Sequence, residues 1–279
     1  MSLLWRDRLV LAIYPDRVAW LRAVRRWPTR ITDKGVVSCA VNSGEPWRGA
    51  VSILPEILRT AKAGGLRVTA LLSNRLSRYA VVPNPDSARS REELDLLARH
   101  SFERTHGDAV AGWSIRLSDA APGRAALAGA LDRQLVVSLG EAVAAASARL
   151  TSIQPYLMAA FNRHHRMFAE RDGVFILAEP ERVTVLAWQD AGWCGVQQVY
   201  ATNDWMGELG GILDRLAVTS GLKEGCPLRV CAPELLDSEN VGALPGLNGW
   251  KTEIVLPVWP RGLASSHDRS FAGAMLALP

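Results

Sequence analysis

A chain of 279 residues with 48% hydrophobic side chains can bury a sizeable core and points to two domains of ordinary size, with one large domain as the other option. Its longest uncharged stretches, 150–162 and 191–203, fall short of the ~20 apolar residues needed to cross a bilayer. Charges at Arg6, Asp7 and Arg8 leave no signal-peptide core, so the chain is expected to stay in the cytoplasm, and the net charge of +4 is too small to mark a dedicated polyanion binder.

The first predicted element is a hairpin. "RLVLAIY" and "RVAWLRAV" flank Pro15-Asp16, a pair with the pre-set φ and local acceptor that a tight turn favours. A third strand around "KGVVSCAV" completes a meander. In "EPWRGAVSILPEILRTAKAGG", Val51, Leu54, Leu58 and Ala61 recur at helical spacing. Pro46 suits a first-turn position, Pro55 predicts a kink or break, and Gly64-Gly65 is expected to end the helix. "LRVTALLS" reads as a buried strand.

Residues 77–130 read as a coherent β-α-β-β insertion. "LSRYAVVP" alternates as a strand. "SREELDLLARHSFERTHG" begins with a capping box, Ser90 to Glu93, and carries Leu94, Leu97, Ala98 and Phe102 on one face. "AGWSIRLS" and "RAALAGALD" are two further strands. The parent domain then resumes with a helix marked by Leu135, Leu139 and Val143, and with the helical stretch "PYLMAAFNRHHRMF".

The second half restarts the plan. "ILAEPERVTVL" at 176–186 repeats "LAIYPDRVAWL" at 11–21: an apolar strand, a Pro-acid-Arg-Val turn, a second apolar strand. A third strand, a helix with Trp205, Leu209, Ile212 and Leu216 on its buried side, the strands "LRVCAP" and "TEIVLPV", and a terminal "SFAGAMLAL" follow. The order β, β, β, α, β in each half is that of a ribonuclease-H-like domain.

Two such domains, each opening with a hairpin, resemble the actin-like superfamily. Within it the chain is similar to the cytoplasmic actin-like proteins of type IV pilus and type II secretion inner-membrane platforms, PilM, MshI and the cytoplasmic part of GspL. The resemblance covers nearly the whole chain and is carried by "LLSNRLSRYAVVPNPD", "LARHSFERTHGDAVAGWSIRLSD", "LTSIQPYLMAAFNRH" and "SFAGAMLAL". It implies an α/β fold of two ribonuclease-H-like domains: 1–168, with 77–130 inserted and a 267–279 helix packing back on it, and 169–279.

It also implies a function. Nucleotide-binding members carry phosphate loops like Asp-x-Gly-Ser/Thr at both hairpin tips, where glycine lets N–H groups approach an anion. Here the tips read Tyr14-Pro15-Asp16-Arg17 and Glu179-Pro180-Glu181-Arg182: proline removes a donor and the carboxylate repels a phosphate. The resemblance therefore implies a non-enzymatic scaffold with no cofactor. Its expected partners are the cytoplasmic tail of a bitopic inner-membrane platform protein and, secondarily, the assembly ATPase, with the chain peripheral at the inner membrane. The resemblance places the tail in a groove between the first domain and its insertion, with an exposed strand edge there suited to β-addition, and Tyr79, Val81, Arg99, Phe102 and Trp113 are the candidate partner-binding residues. The other reading is an actin-like ATPase or kinase relative with a degenerate cleft, of which Asp16, Glu181 and Thr184 would be remnants.

Other chemistry is not indicated. No P-loop, HExxH, GxSxG or strand-linked GxGxxG occurs. Cys39, Cys194, Cys226 and Cys231 lie in apolar segments away from zinc spacing, and His164 and His165 are adjacent on a predicted helix, ~100° apart. Seven arginines in residues 6–30 suit anionic lipid or a solvated face. With 28 Arg against 4 Lys the bias reads as genome composition, and no nucleic-acid partner is expected. Of ten tryptophans, Trp20 and Trp188 are expected in the core, while Trp27, Trp47 and Trp259 occupy loop-like settings in which an exposed ring would mark a partner surface.

Overall fold

The computed structural model describes residues 7–24, 29–84, 90–121, 123–168, 170–202, 204–222, 225–236, 250–263 and 267–278. Trp27 lies outside them. In chain order the elements are β1 (Arg8–Ile13), β2 (Arg17–Val24), β3 (Arg30–Ser38), α1 (Arg48–Ser52), α2 (Leu54–Thr60) and β4 (Arg67–Leu72), then β5 (Ser77–Val82), α3 (Arg91–His106), β6 (Trp113–Leu117) and β7 (Ala126–Asp132). There follow α4 (Arg133–Ala145), β8 (Arg149–Pro155), α5 (Tyr156–Arg163), β9 (Gly173–Glu179), β10 (Arg182–Gln189), β11 (Gly192–Tyr200), α6 (Trp205–Ser220), β12 (Pro227–Cys231), β13 (Lys251–Ile254) and α7 (Ala272–Leu276). Contacts group them into two compact units, Met1–Leu76 with Arg133–Arg163 and Pro257–Pro279, and Ser77–Asp132 with His164–Leu256. Along the chain, residues 77–132 interrupt the first unit between β4 and α4.

In the first unit the sheet order is β3-β2-β1-β4-β8, with β1 antiparallel to β2 and parallel to β4. Strands flanked on both sides and covered on both faces must be apolar throughout, and β1 is buried from Leu9 to Ile13. Trp20 is buried because its register partner on β3 is Gly35, where a Cβ would stand 2.6 Å from the indole nitrogen. Pro55 breaks the predicted helix: it sits at the start of α2, and α1 ends at Ser52. Pro46 precedes α1 rather than entering its first turn.

The helix also stops earlier than Gly64-Gly65. Lys62 takes the left-handed conformation at φ 51°, and the Ala63 N–H returns to the Leu58 carbonyl, a Schellman-type closure built without glycine at its left-handed position. Leu135, Leu139 and Val143 form the buried stripe of α4, and α7 packs on β1, β2 and α5. Trp47 is buried and Trp259 half-buried.

In the second unit the order β11-β10-β9-β12-β13 repeats the first plan, a meander followed by parallel strands. Val174, Ile176, Val183 and Val185 face α6, whose Trp205, Leu209, Ile212 and Leu216 are all buried. Gly221 closes α6 at φ 66°. Residues 77–132 add a separate sheet, β5-β7-β6, with β5 lying against β11 and the Gln198 side chain donating to the Ser77 carbonyl. The helix predicted through His165 ends at Arg163, and His165–Met167 form a short 3-10 turn.

Candidate functional site

The first hairpin tip is a two-residue loop closed by the Tyr14 N–H donating to the Arg17 carbonyl at 2.9 Å. Its polar groups are consumed locally. The Asp16 carboxylate ion-pairs with Arg17 at 3.1 Å and faces Arg75 at 3.8 Å, and the Arg17 guanidinium lies 4.0 Å from the Tyr14 ring centroid. The Asp16 carbonyl accepts from the Cys39 N–H, and the Pro15 carbonyl from the Cys39 thiol. Burial, and then Asp16, push the Cys39 thiol above its ordinary value, so it remains a protonated donor.

The second tip uses the same sequence differently. Glu179 pairs with Arg182 across the loop, and Glu181 occupies the left-handed region at φ 64°, the third position of a Pro-initiated turn. Glu179 is buried, and the Glu181 carbonyl accepts from the Ala201 N–H. Thr184 is fully buried two residues into β10. Among the described residues no group of three metal-ligating side chains occurs.

The inserted sheet positions the five candidate binding residues on two faces. Ser90 caps α3 by accepting from the Glu93 N–H at 3.2 Å, and Ala98 and Phe102 drive the helix onto the sheet. Phe102 is 1% exposed and meets Trp113 edge-on, ring centroids 5.8 Å apart at 82°. Trp113 also meets His106 at 4.9 Å. Burial first, then the charge of Arg78, hold His106 below its ordinary value, so the ring is neutral at pH 7. Arg99, one turn before Phe102, donates to the Val110 carbonyl at 3.2 Å.

Tyr79 and Val81 are elsewhere. Ala80 and Val82 pack against the α3 cluster, so the strand alternation turns Tyr79 and Val81 to the opposite face, where Tyr79 lies beside Gly129. Phe102, Trp113 and Arg99 therefore share one side of the sheet, and Tyr79 and Val81 the other.

Along that first side runs a groove of about 390 Å³ between α3 and β6, lined by Glu92, Asp95, Leu96, Arg99 and Ile115. Four of these five escaped sequence reasoning. Leu96 is 67% exposed. Its signal was available, since it falls outside the stripe of Leu94, Leu97, Ala98 and Phe102 by ~100° or more.

No protein-family model matches the sequence, and no curated protein matches it. Solved structures do. The cytoplasmic domain of EpsL, an inner-membrane component of the type II secretion system of Vibrio cholerae, is 15% identical with a TM-score of 0.58, covering 98% of this chain and 94% of that one. A PilM-PilN type IV pilus biogenesis complex is 14% identical with a TM-score of 0.68, covering 96% of each chain. A Bacteroides thetaiotaomicron protein described as having an actin-like ATPase fold is 8% identical with a TM-score of 0.57, covering 96% and 95%.

The chain has the actin-like fold. Its two hairpin tips differ from an Asp-x-Gly-Ser/Thr loop in residue type and in geometry. At the first tip the turn's carbonyls accept hydrogen bonds from Cys39, and its one acid is neutralised by side chains of the same unit. At the second, a glutamate holds the left-handed position that a glycine would take at no steric cost.

Proposed function

We propose that this chain is a non-enzymatic scaffold at the cytoplasmic face of a type IV pilus or type II secretion-like assembly platform. Its inserted subdomain holds the cytoplasmic tail of a bitopic membrane protein, and the assembly ATPase is its second partner. The carrying observation is the chemistry of the two tips: proline and a carboxylate stand at each, and Arg17, Tyr14 and Cys39 engage the polar groups of the first. An anion gains little from the backbone there, because proline removes one N–H, the Tyr14 N–H is already given to the Arg17 carbonyl, and the second tip presents Glu179 and Glu181. The shared fold with EpsL and PilM over nearly the full chain supports the setting. The arginine-rich sequence of residues 6–30 supplies positive charge for anionic lipid in this reading, which brings the chain to the membrane surface.

Calorimetric titration with Mg²⁺-ATP tests the reading. No binding is expected at millimolar nucleotide. A dissociation constant below ~100 μM, about 5.5 kcal/mol, would overturn the scaffold in favour of an actin-like nucleotide enzyme. Capture from solubilised membranes is expected to return a protein with one transmembrane helix.

A further inference from the structure

The edge of β6 carries an unfilled hydrogen-bonding position beside the α3 groove. The Ser118 N–H donates to the Leu127 carbonyl, so the antiparallel alternation directs Ser114 and Arg116 to β7 and turns the backbone groups of Trp113, Ile115 and Leu117 outward. Two of those outward groups are engaged nearby: the Trp113 N–H donates to the Val110 carbonyl, and the Leu117 carbonyl accepts from Arg91. At Ile115, among the described residues, neither the N–H nor the C=O has a partner, and its side chain faces α3 at the floor of the groove. An open edge of this kind is a template for one more strand.

The groove wall has a polarity that a strand can match. Glu92, Leu96 and Arg99 follow one another along α3, with Asp95 beside them. Four helical residues rise ~6 Å and three rise ~4.5 Å, while two strand residues advance ~6.6 Å. A side chain seated on Leu96 and Ile115 thus has its i±2 neighbours near the acidic pair on one side and near Arg99 on the other. Asp95 is shared with Arg91 at 3.4 Å, whereas Glu92 has no ion-pair partner among the described residues.

We propose that the α3–β6 groove binds an extended segment of a partner protein with the pattern basic-x-apolar-x-acidic, added as a fourth strand beside β6. The apolar residue covers Leu96, the basic residue meets Glu92 and Asp95, and the acidic residue meets Arg99. This deepens the scaffold reading, and rests on it for the statement that the occupant is a protein segment.

The test is selection of an immobilised octapeptide library, followed by hydrogen exchange on the full chain saturated with the recovered peptides. Enrichment of the basic-x-apolar-x-acidic pattern is expected, with slowed exchange at the Ile115 and Leu117 amides. Leu96→Asp should weaken the recovered peptides at least ~10-fold, and Leu96 is exposed enough that the variant folds. Glu92→Lys combined with Asp95→Lys should select acidic in place of basic residues. Peptides recovered without a charge pattern, or bound without protecting Ile115, would overturn the proposal and leave the scaffold untouched. Protection of Ile115 by self-association of the chain alone would assign the edge to a second copy and also overturn it. Tight Mg²⁺-ATP binding would end the scaffold reading with the groove result standing.

Discussion

Gly273 stands so close to Tyr14 that a Cβ added to it would lie 2.2 Å from the tyrosine hydroxyl oxygen, with the Tyr156 ring 3.3 Å away. Tyr14 and Tyr156 meet edge-on at 6.4 Å, and α7 is threaded past both. Helix α7 is therefore fitted to the first hairpin tip, and the Tyr14 side chain packs against it.

Gly273→Ala is expected to lower stability by about 2 kcal/mol, in the range of overpacked cores. Tyr14→Phe removes the clashing oxygen and should recover much of that loss in the double variant, beyond additivity. Urea unfolding of the four proteins measures the coupling. Strict additivity would mean that α7 can shift away from the tip at no cost.

The turn joining β10 to β11 places both Asp190 and Ala191 in the left-handed region, at φ 51° and 60°. Two positive φ values make a mirror-type hairpin turn, for which Asp-Gly is the favoured pair. Ala191→Gly should relieve ~1 kcal/mol of backbone strain, lose part of it to the unfolded chain's added entropy, and leave a gain of about 0.5 kcal/mol. Ala191→Val should cost more than ~1 kcal/mol, because β-branching opposes this conformation. A rise in the urea midpoint for one variant and a fall for the other checks the assignment.

The same backbone feature marks where sequence reading stopped. Both hairpins were legible, because Pro-acid-Arg-Val between two apolar strands has few other solutions. The stripe of α6 was legible because every fourth or third residue is apolar. Lys62 and Ala191 were not, since their left-handed conformations are imposed by the chain on either side and carry no glycine to announce them. The split of Tyr79 and Val81 from Phe102 was also out of reach. Strand alternation shows which residues share a face, yet only the packed helix decides which face is covered, and α3 covers Ala80 and Val82.

Arg229 on β12 is 5% exposed and reaches Glu170 at 2.6 Å and Glu253 at 3.2 Å, with its guanidinium 5.5 Å from the Phe168 ring centroid. The Arg229 hydrogen bond is the first cause holding the Glu170 carboxyl below the usual carboxylate range. A depressed folded-state value means stability that is present above the unfolded value, ~4.3 for Glu, and lost as pH falls through the folded one. Both carboxylates are partly exposed, so solvent screens much of the gain. Arg229→Met leaves them free to hydrate, so stability at pH 7 should change little, and the acid-side decline below about pH 4.5 should flatten. Urea midpoints of the two proteins between pH 6 and 3 read this directly, and parallel curves would show that Glu170 draws its shift from elsewhere.

Thr184 is fully buried, and its hydroxyl has no hydrogen-bond partner among the described residues. A hydroxyl kept in that state costs roughly 1–3 kcal/mol of desolvation. A threonine retained to hold a ligand and a threonine that is a leftover of packing make opposite predictions for Thr184→Val. The isosteric methyl removes the cost, so the variant should be more stable by about 1 kcal/mol with an unchanged denaturant slope. Thr184→Ser keeps the hydroxyl, loses the methyl, and should be less stable than wild type by about 1 kcal/mol through the cavity it leaves. A destabilised Thr184→Val would reveal a partner for the hydroxyl. If Mg²⁺-ATP then stabilised the wild type alone, the second tip would be a working corner of a nucleotide cleft.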